Sequence, residues 1–203
     1  MATNAKRQAL KTPDGAIRAD LVFDATLQDQ LLNFTSTWGL FSPRGVDEGT
    51  YLLANNLDVK PTDDCLDLGC GYGPLGLLLA KLAPQGQTHL VDKDFVAVEY
   101  ANKNAQLNHL PNARAYLSNG FSNVASDLKF DLIVSNIPAK IGSEQLQIFL
   151  EDADAQLKPG GTLVVVTIAG LKDYMKRHLT QRFGNYHKLG QNRTYTAASA
   201  TKL

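Results

Sequence analysis

The chain has 203 residues, of which 44% are hydrophobic and 20% charged, enough apolar material for one core and too much for a disordered segment. Twenty Lys and Arg balance twenty Asp and Glu, so bulk charge selects no partner. No apolar run approaches the ~20 residues that cross a bilayer, and the opening MATNAKRQALKT has charge with no apolar block behind it, so neither a membrane protein nor a secreted one is expected.

Residues 1–60 read as an N-terminal extension packed on the core, with short strands within 21–40 and a helix over 46–57. From residue 61 to 203, short apolar runs alternate with helical patterns, the signature of a parallel sheet built from βαβ units. Strands are predicted at 65–68, 88–91, 113–117, 130–134 and 162–168. The last of these is β-branched at nearly every position and so belongs inside the sheet. Helices are predicted over 74–82, 95–107, 144–157 and 171–181, the third stopped by Lys158-Pro159-Gly160-Gly161. Residues 186–189 and 194–198 suit a closing antiparallel pair. The fold class is therefore α/β, a Rossmann-like, mostly parallel sheet of seven strands with helices on both faces.

Cys65 and Cys70 fit no metal-binding spacing, and no metal is expected. A reducing, cytoplasmic compartment suits them. Charge is uneven along the chain. Residues 170–203 hold seven bases (Lys172, Lys176, Arg177, Arg182, Lys188, Arg193, Lys202) and one acid, Asp173. Such a segment either attracts a polyanion or is an ordinary solvated face and tail.

The sharpest signal is Leu66-Asp67-Leu68-Gly69-Cys70-Gly71-Tyr72-Gly73-Pro74-Leu75-Gly76, a strand entering a helix through glycines. Glycine suits a turn that needs permissive dihedrals and a ligand that approaches the backbone, at the sheet edge where open α/β folds bind ligands. Gly71-x-Gly73-x-x-Gly76 also matches the dinucleotide fingerprint, so an NAD-linked oxidoreductase is one reading. Against it, the cluster starts at Gly69, and Asp67 puts a carboxylate where it would repel a pyrophosphate. That charge favours a cationic ligand such as S-adenosylmethionine, with its ammonium and sulfonium. Asp92, after the second strand, can take both hydroxyls of a ribose or serve as a helix cap beside Asp94.

These residues resemble the class I S-adenosylmethionine-dependent methyltransferases from about residue 63 to the C-terminus. The resemblance implies that Asp67, Gly69 and Gly71 cradle the methionine part of the cofactor, with Cys70 and Gly73 in the same turn. It puts Asp92 and its neighbour Lys93 at the ribose, and Asn119, Gly120 and Phe121 along the adenine.

Ser135-Asn136-Ile137-Pro138-Ala139-Lys140 resembles the N-P-P-aromatic motif of methyltransferases that act on amino groups. An exocyclic amine conjugated to a ring is a poor nucleophile. An Asn oxygen and the next backbone carbonyl can accept its two hydrogens and aim its lone pair. Asn136, Ile137 and Pro138 are thus the catalytic candidates, with Asn136 also bordering the cofactor. Ile137 in place of the first proline is expected to loosen the backbone. Ala139 removes the stacking aromatic, and Lys140 is either a phosphate contact or a solvated lysine.

Upstream, Phe41-Ser42-Pro43-Arg44-Gly45-Val46-Asp47-Glu48-Gly49-Thr50 resembles the segment preceding the sheet in the methyltransferase small-domain family, which includes guanine-N2 methyltransferases of ribosomal RNA. That likeness implies Phe41 and Asp47 near the site, although a turn at 43–45 and an N-cap at Asp47 would account for the same residues. The function implied is methyl transfer to an amine, with guanine N2 of ribosomal RNA as acceptor. Three alternatives stay open: a methyltransferase for a small molecule or protein amide, the NAD-linked enzyme, and a non-catalytic module that binds cofactor or RNA.

Overall fold

A computed structural model describes residues 20–203. The opening segment read above for a leader lies outside the described residues. Strands β1 (Leu21–Leu27) and β2 (Gln30–Ser36) pair antiparallel as a hairpin of their own. Its two turn residues, Gln28 and Asp29, both have positive φ, at 43° and 59°, the twist a tight hairpin needs. Helix α1 (Glu48–Ala54) follows.

The main sheet has the order β5-β4-β3-β6-β7-β9-β8. It comprises β3 (Cys65–Leu68), β4 (Thr88–Asp92), β5 (Ala113–Leu117), β6 (Phe130–Asn136), β7 (Leu157–Ile168), β8 (His187–Gln191) and β9 (Tyr195–Thr201). Only β9 runs against the others, so the mostly parallel seven-stranded sheet with an antiparallel closing strand is as expected. Helices α2 (Pro74–Leu82), α3 (Phe95–Leu107), α4 (Ser143–Gln156) and α5 (Lys172–Phe183) make the crossovers.

Both faces of the sheet are buried, because alternate residues of each central strand enter different cores. Cys65, Leu90, Leu132, Val134, Val164 and Val166 pack with α1, α2 and α3. Leu66, Val91, Ile133, Leu163 and Val165 pack with α4 and α5.

One boundary differs from expectation. Lys158-Pro159-Gly160-Gly161 does not separate α4 from a strand at 162; β7 begins at Leu157 and runs through it. The pairing with β6 slips between Phe130 and Leu132 to absorb the extra residues. Gly160 donates to the Lys202 carbonyl (2.9 Å) and Lys202 donates to that of Gly161 (2.9 Å), so the backbone groups a turn would have left open are bonded in the sheet.

The hairpin is tied to α3 by two asparagines one turn apart. Asn104, fully buried, accepts from Thr35 N (2.7 Å) and donates to the carbonyls of Thr35 and Tyr72 (both 2.9 Å). Asn108 makes the matching pair with Asn33 N (2.8 Å) and O (2.7 Å). An amide side chain carries the donor and acceptor of a backbone unit, so α3 presents β2 with a substitute strand edge. The third bond of Asn104 reaches into the glycine turn.

Candidate active site

β3 ends at Leu68, and the chain turns into α2 through Gly69, Gly71 and Gly73, with φ of 77°, 54° and 99°. Side chains rarely tolerate this left-handed region, and Pro74 then starts the helix with φ already fixed. Nothing lies within 4 Å of where a Cβ would stand on Gly69 or Gly71, so the space over the turn is open to a ligand. Gly76 is glycine for the opposite reason. A Cβ there would come within 2.3 Å of Leu90, so α2 rests directly on β4.

Asp67 lies beneath this turn and is 1% exposed. Its immediate partner differs from the ammonium expected of it: Oδ2 accepts from Gly76 N at 2.7 Å, satisfying one of the free donors at the start of α2. Burial pushes its carboxyl up to about 7, against the Gly76 hydrogen bond that lowers it, with the Asp92 charge adding to the rise. Asp67 therefore acts on the turn from below, as a buried carboxyl and a helix anchor.

Asp92 ends β4 and is half-buried. Its Oδ2 accepts from Gly71 N (2.9 Å) and its Oδ1 from Asp94 N (3.0 Å). Asp94, not Asp92, is the N-cap of α3, accepting from Val96 N at 2.8 Å. With one bond on each oxygen, Asp92 has further lone pairs for a ligand and locks the glycine turn to β4. Lys93 is exposed beside it. Cys70 is buried, and desolvation together with the neighbouring Asp67 and Asp92 raises its thiol well above the usual range, the reverse of what a thiolate nucleophile requires.

After β5, Asn119 is exposed, with its N–H on Ser122 Oγ (3.2 Å). Gly120 turns at φ 60°. Phe121 folds inward, buried against Phe149, so this segment offers the edge of the site chiefly Asn119 and the backbone.

The acceptor side forms at the end of β6. Ser135 Oγ donates to the Leu68 carbonyl at 2.8 Å, joining this strand end to the start of the glycine turn. Asn136 Nδ2 donates to both oxygens of Asp47 (3.2 Å each) and to Thr50 Oγ1 (3.0 Å). A carboxylate can only accept, so Asp47 fixes which end of the amide is nitrogen and leaves Asn136 Oδ1 turned away from it. Asp47 is itself held as the N-cap of α1, its Oδ2 taking Gly49 N (2.9 Å) and Thr50 N (3.4 Å). The turn-and-cap reading of this segment and the site reading are thus both satisfied by one carboxylate. Thr50 was not foreseen; only its place three residues after a cap in the same segment hinted at it.

Ile137 departs from expectation as well. Its N–H donates to the Val166 carbonyl at 2.9 Å, a bond proline lacks the hydrogen to make, and its side chain is buried in the core shared with α4 and α5. The substitution ties the backbone down. Pro138, Ala139 and Lys140 are exposed, and Lys140 has no ion-pair partner among the described residues. The segment before α1 meets the side chain of a turn residue, where Tyr72 OH donates to the Ser42 carbonyl at 3.3 Å.

The basic C-terminal segment divides in two. Arg182 and Lys202 both pair with Asp154 (3.0 and 3.9 Å). Lys172, Lys176 and Arg177, nearer the start of α5, have no ion-pair partner among the described residues. No helix among those residues is long and apolar enough to cross a membrane.

The chain is similar to proteins of known kind. It is 32% identical over 215 residues to the ribosomal RNA small subunit methyltransferase C of Hamiltonella defensa, covering 97% of this chain and 62% of that one. It is 37% identical over 141 residues to the uncharacterized protein YbxB of Bacillus subtilis, covering 69% and 70%. Among solved structures, the Thermus thermophilus 16S rRNA N2 G1207 methyltransferase, in complex with AdoMet and guanosine, superposes with a TM-score of 0.80 at 29% identity. That match covers 90% of this chain and 50% of the other, so the chain spans only about half to two thirds of these methyltransferases. The model of the methyltransferase small domain matches residues 31–199, and the chain belongs to that family.

Proposed function

We propose that the chain transfers a methyl group from S-adenosylmethionine to an exocyclic amine, the N2 of guanine in ribosomal RNA. The observation that carries this reading is the fixed amide of Asn136: Asp47 and Thr50 hold its nitrogen, and its oxygen remains as acceptor on a strand end that Ser135 ties to Leu68, where the glycine turn begins. The named relatives that methylate ribosomal RNA, and the neighbour bound to AdoMet and guanosine, supply the substrate class. Work on ribosomal RNA fits a cytoplasmic protein with two free cysteines.

The residues present fit the cofactor. The open backbone of Gly69 and Gly71 would hold its methionine part over the buried carboxyl of Asp67, Asp92 would take the ribose hydroxyls, and Asn119 would meet the adenine. When bound, S-adenosylmethionine supplies a methyl carbon made electrophilic by its sulfonium. Asn136 Oδ1 and the Ile137 carbonyl would accept the two amine hydrogens and so orient the nitrogen lone pair for transfer. Both acceptors sit on a strand end tied to β7 and β3, so little reorganisation is needed. Because the amine would give up its proton to water only once methylated, no strong base would be required of the protein.

The missing aromatic at Ala139 and the zero net charge are the features that favour an acceptor other than a nucleobase. Incubation with radiolabelled methyl donor and separate RNA, protein and metabolite fractions tests this. Label in ribosomal RNA is the expected result, and label confined to protein or metabolites refutes the RNA assignment.

A further inference from the structure

A planar base is held in proteins by an aromatic face as well as by edge contacts. The acceptor strand end and the loop after it, residues 135–140, contain no aromatic residue. The rings around it are mostly committed. Tyr72 is buried edge-on to Phe23 and Phe34. Tyr174 stacks on His178 at 4.0 Å. Tyr195 is half-buried where α1 starts, within 3 Å of the position a Cβ on Gly49 would take. Phe95, 67% exposed, follows β4, and β3 stands between β4 and β6 in the sheet.

Phe41 is the exception. It is 66% exposed in the segment whose next residue, Ser42, touches Tyr72 of the glycine turn and whose end, Asp47, grips Asn136. The loop is braced for display. Ser42 takes a positive φ of 45°, a conformation a serine holds only when its surroundings fix it. Its Oγ donates to the Gly45 carbonyl at 2.6 Å, and Gly45 N returns a bond to the Ser42 carbonyl at 3.3 Å. Two residues before Phe41 in the same loop stands Gly39, and before that Trp38, 48% exposed, with the Arg44 guanidinium 4.7 Å over its ring. A cation laid on an aromatic face, beside a bare ring, matches the phosphate and the base of one nucleotide.

We propose that Phe41 is the stacking surface for the acceptor base, with Arg44 on Trp38 meeting the adjacent backbone phosphate of single-stranded RNA. This rests on the amine-methylation reading of Asn136 but makes a claim about base binding that can be tested without methyl transfer. Trp38 is the sole tryptophan of the chain, so its emission reports on this loop alone.

The test titrates the full chain with a short single-stranded RNA containing one guanosine, reading Trp38 quenching and the anisotropy of a dye on the RNA, with no donor present. Wild type should show quenching and saturable binding. Phe41→Ala should weaken binding about 5- to 150-fold, the loss of one stacked base, with S-adenosylhomocysteine affinity and the thermal midpoint unchanged. Phe41→Tyr should bind as wild type, and Ala139→Phe in the Phe41→Ala background should recover part of the loss by restoring a ring beside Asn136. Unchanged RNA affinity in Phe41→Ala overturns the proposal. So does a loss of S-adenosylhomocysteine affinity alone, or a loss of RNA binding that neither Tyr at 41 prevents nor Phe at 139 repairs. If wild type binds RNA through Phe41 but transfers no methyl, the catalytic reading fails and this one stands.

Discussion

Asp47 does two things with one carboxylate, and they can be separated. Replacement by alanine removes the N-cap of α1, a loss of about 0.5–2 kcal/mol, which in a chain of this size lowers the midpoint of melting by roughly 1–8 °C. It also releases the Asn136 amide. Thr50 would remain within 3.0 Å, but a hydroxyl can donate or accept, so it would hold the flipped amide as readily as the productive one. Losing the only obligatory acceptor forfeits about 1.5–3 kcal/mol of charge-assisted hydrogen bonding, a fall in kcat of roughly 10- to 150-fold. Asp47→Ser separates the roles: serine caps α1 well but is uncharged and too short to span to Asn136. Melting and single-turnover methyl transfer are measured on both variants. Asp47→Ser should recover most of the stability and little of the rate, with S-adenosylhomocysteine affinity as in wild type. A serine variant with near-normal kcat refutes the argument that Asp47 sets the amide.

Three further outcomes follow from other parts of the site. Burial lifts the Asp67 carboxyl from its ordinary 3.8 to about 7, so the native state retains a proton that the unfolded chain gives up. The stability this brings is complete below about pH 4 and is lost as pH rises through 7. Asp67→Asn should therefore gain on wild type in urea midpoint between about pH 4 and 7, and parallel curves across that range would refute it. Asn104→Ala strands buried groups of Thr35 and Tyr72, so it should cost about 3 kcal/mol or more and raise the Kd for S-adenosylhomocysteine, read by chemical denaturation and calorimetry; a cost below 1 kcal/mol counts against its role as a strand edge. For the basic segment, Lys176→Ala and Arg177→Ala should each reduce the salt dependence of RNA binding by about one counterion. Arg182→Ala, which removes a charge already paired with Asp154, should leave that slope unchanged, and equal slopes for all three variants would show that α5 does not meet RNA.

The elements with strong periodicity were legible in the sequence: the strand–glycine–helix unit at 65–82, the acid after β4 and the antiparallel close at the C-terminus. Each is written in local chemistry, where a run of branched residues, a glycine that must turn or a proline at a helix start fixes the backbone within a few positions. The misreadings came from distant partners. Lys158-Pro159-Gly160-Gly161 has turn composition, yet strand pairing with Lys202 draws it into β7. Ile137 looks like a loosened proline site until Val166 accepts its N–H. The bond from Gly76 N to Asp67 is likewise out of sight in the sequence, since it reaches across the glycine turn. The bond between Asp47 and Asn136 joins residues 89 apart in the chain, and no spacing rule reaches that far.

The central claim is that Asn136 presents a fixed oxygen to the amine that is methylated. Its most direct test is mass spectrometry of nucleosides digested from ribosomal RNA after incubation with donor and either wild-type protein or Asn136→Ala. The account predicts N2-methylguanosine from wild type and a loss of at least 100-fold in the variant, about 2.7 kcal/mol, with its S-adenosylhomocysteine affinity intact. Equal yields of N2-methylguanosine from the two proteins would contradict it.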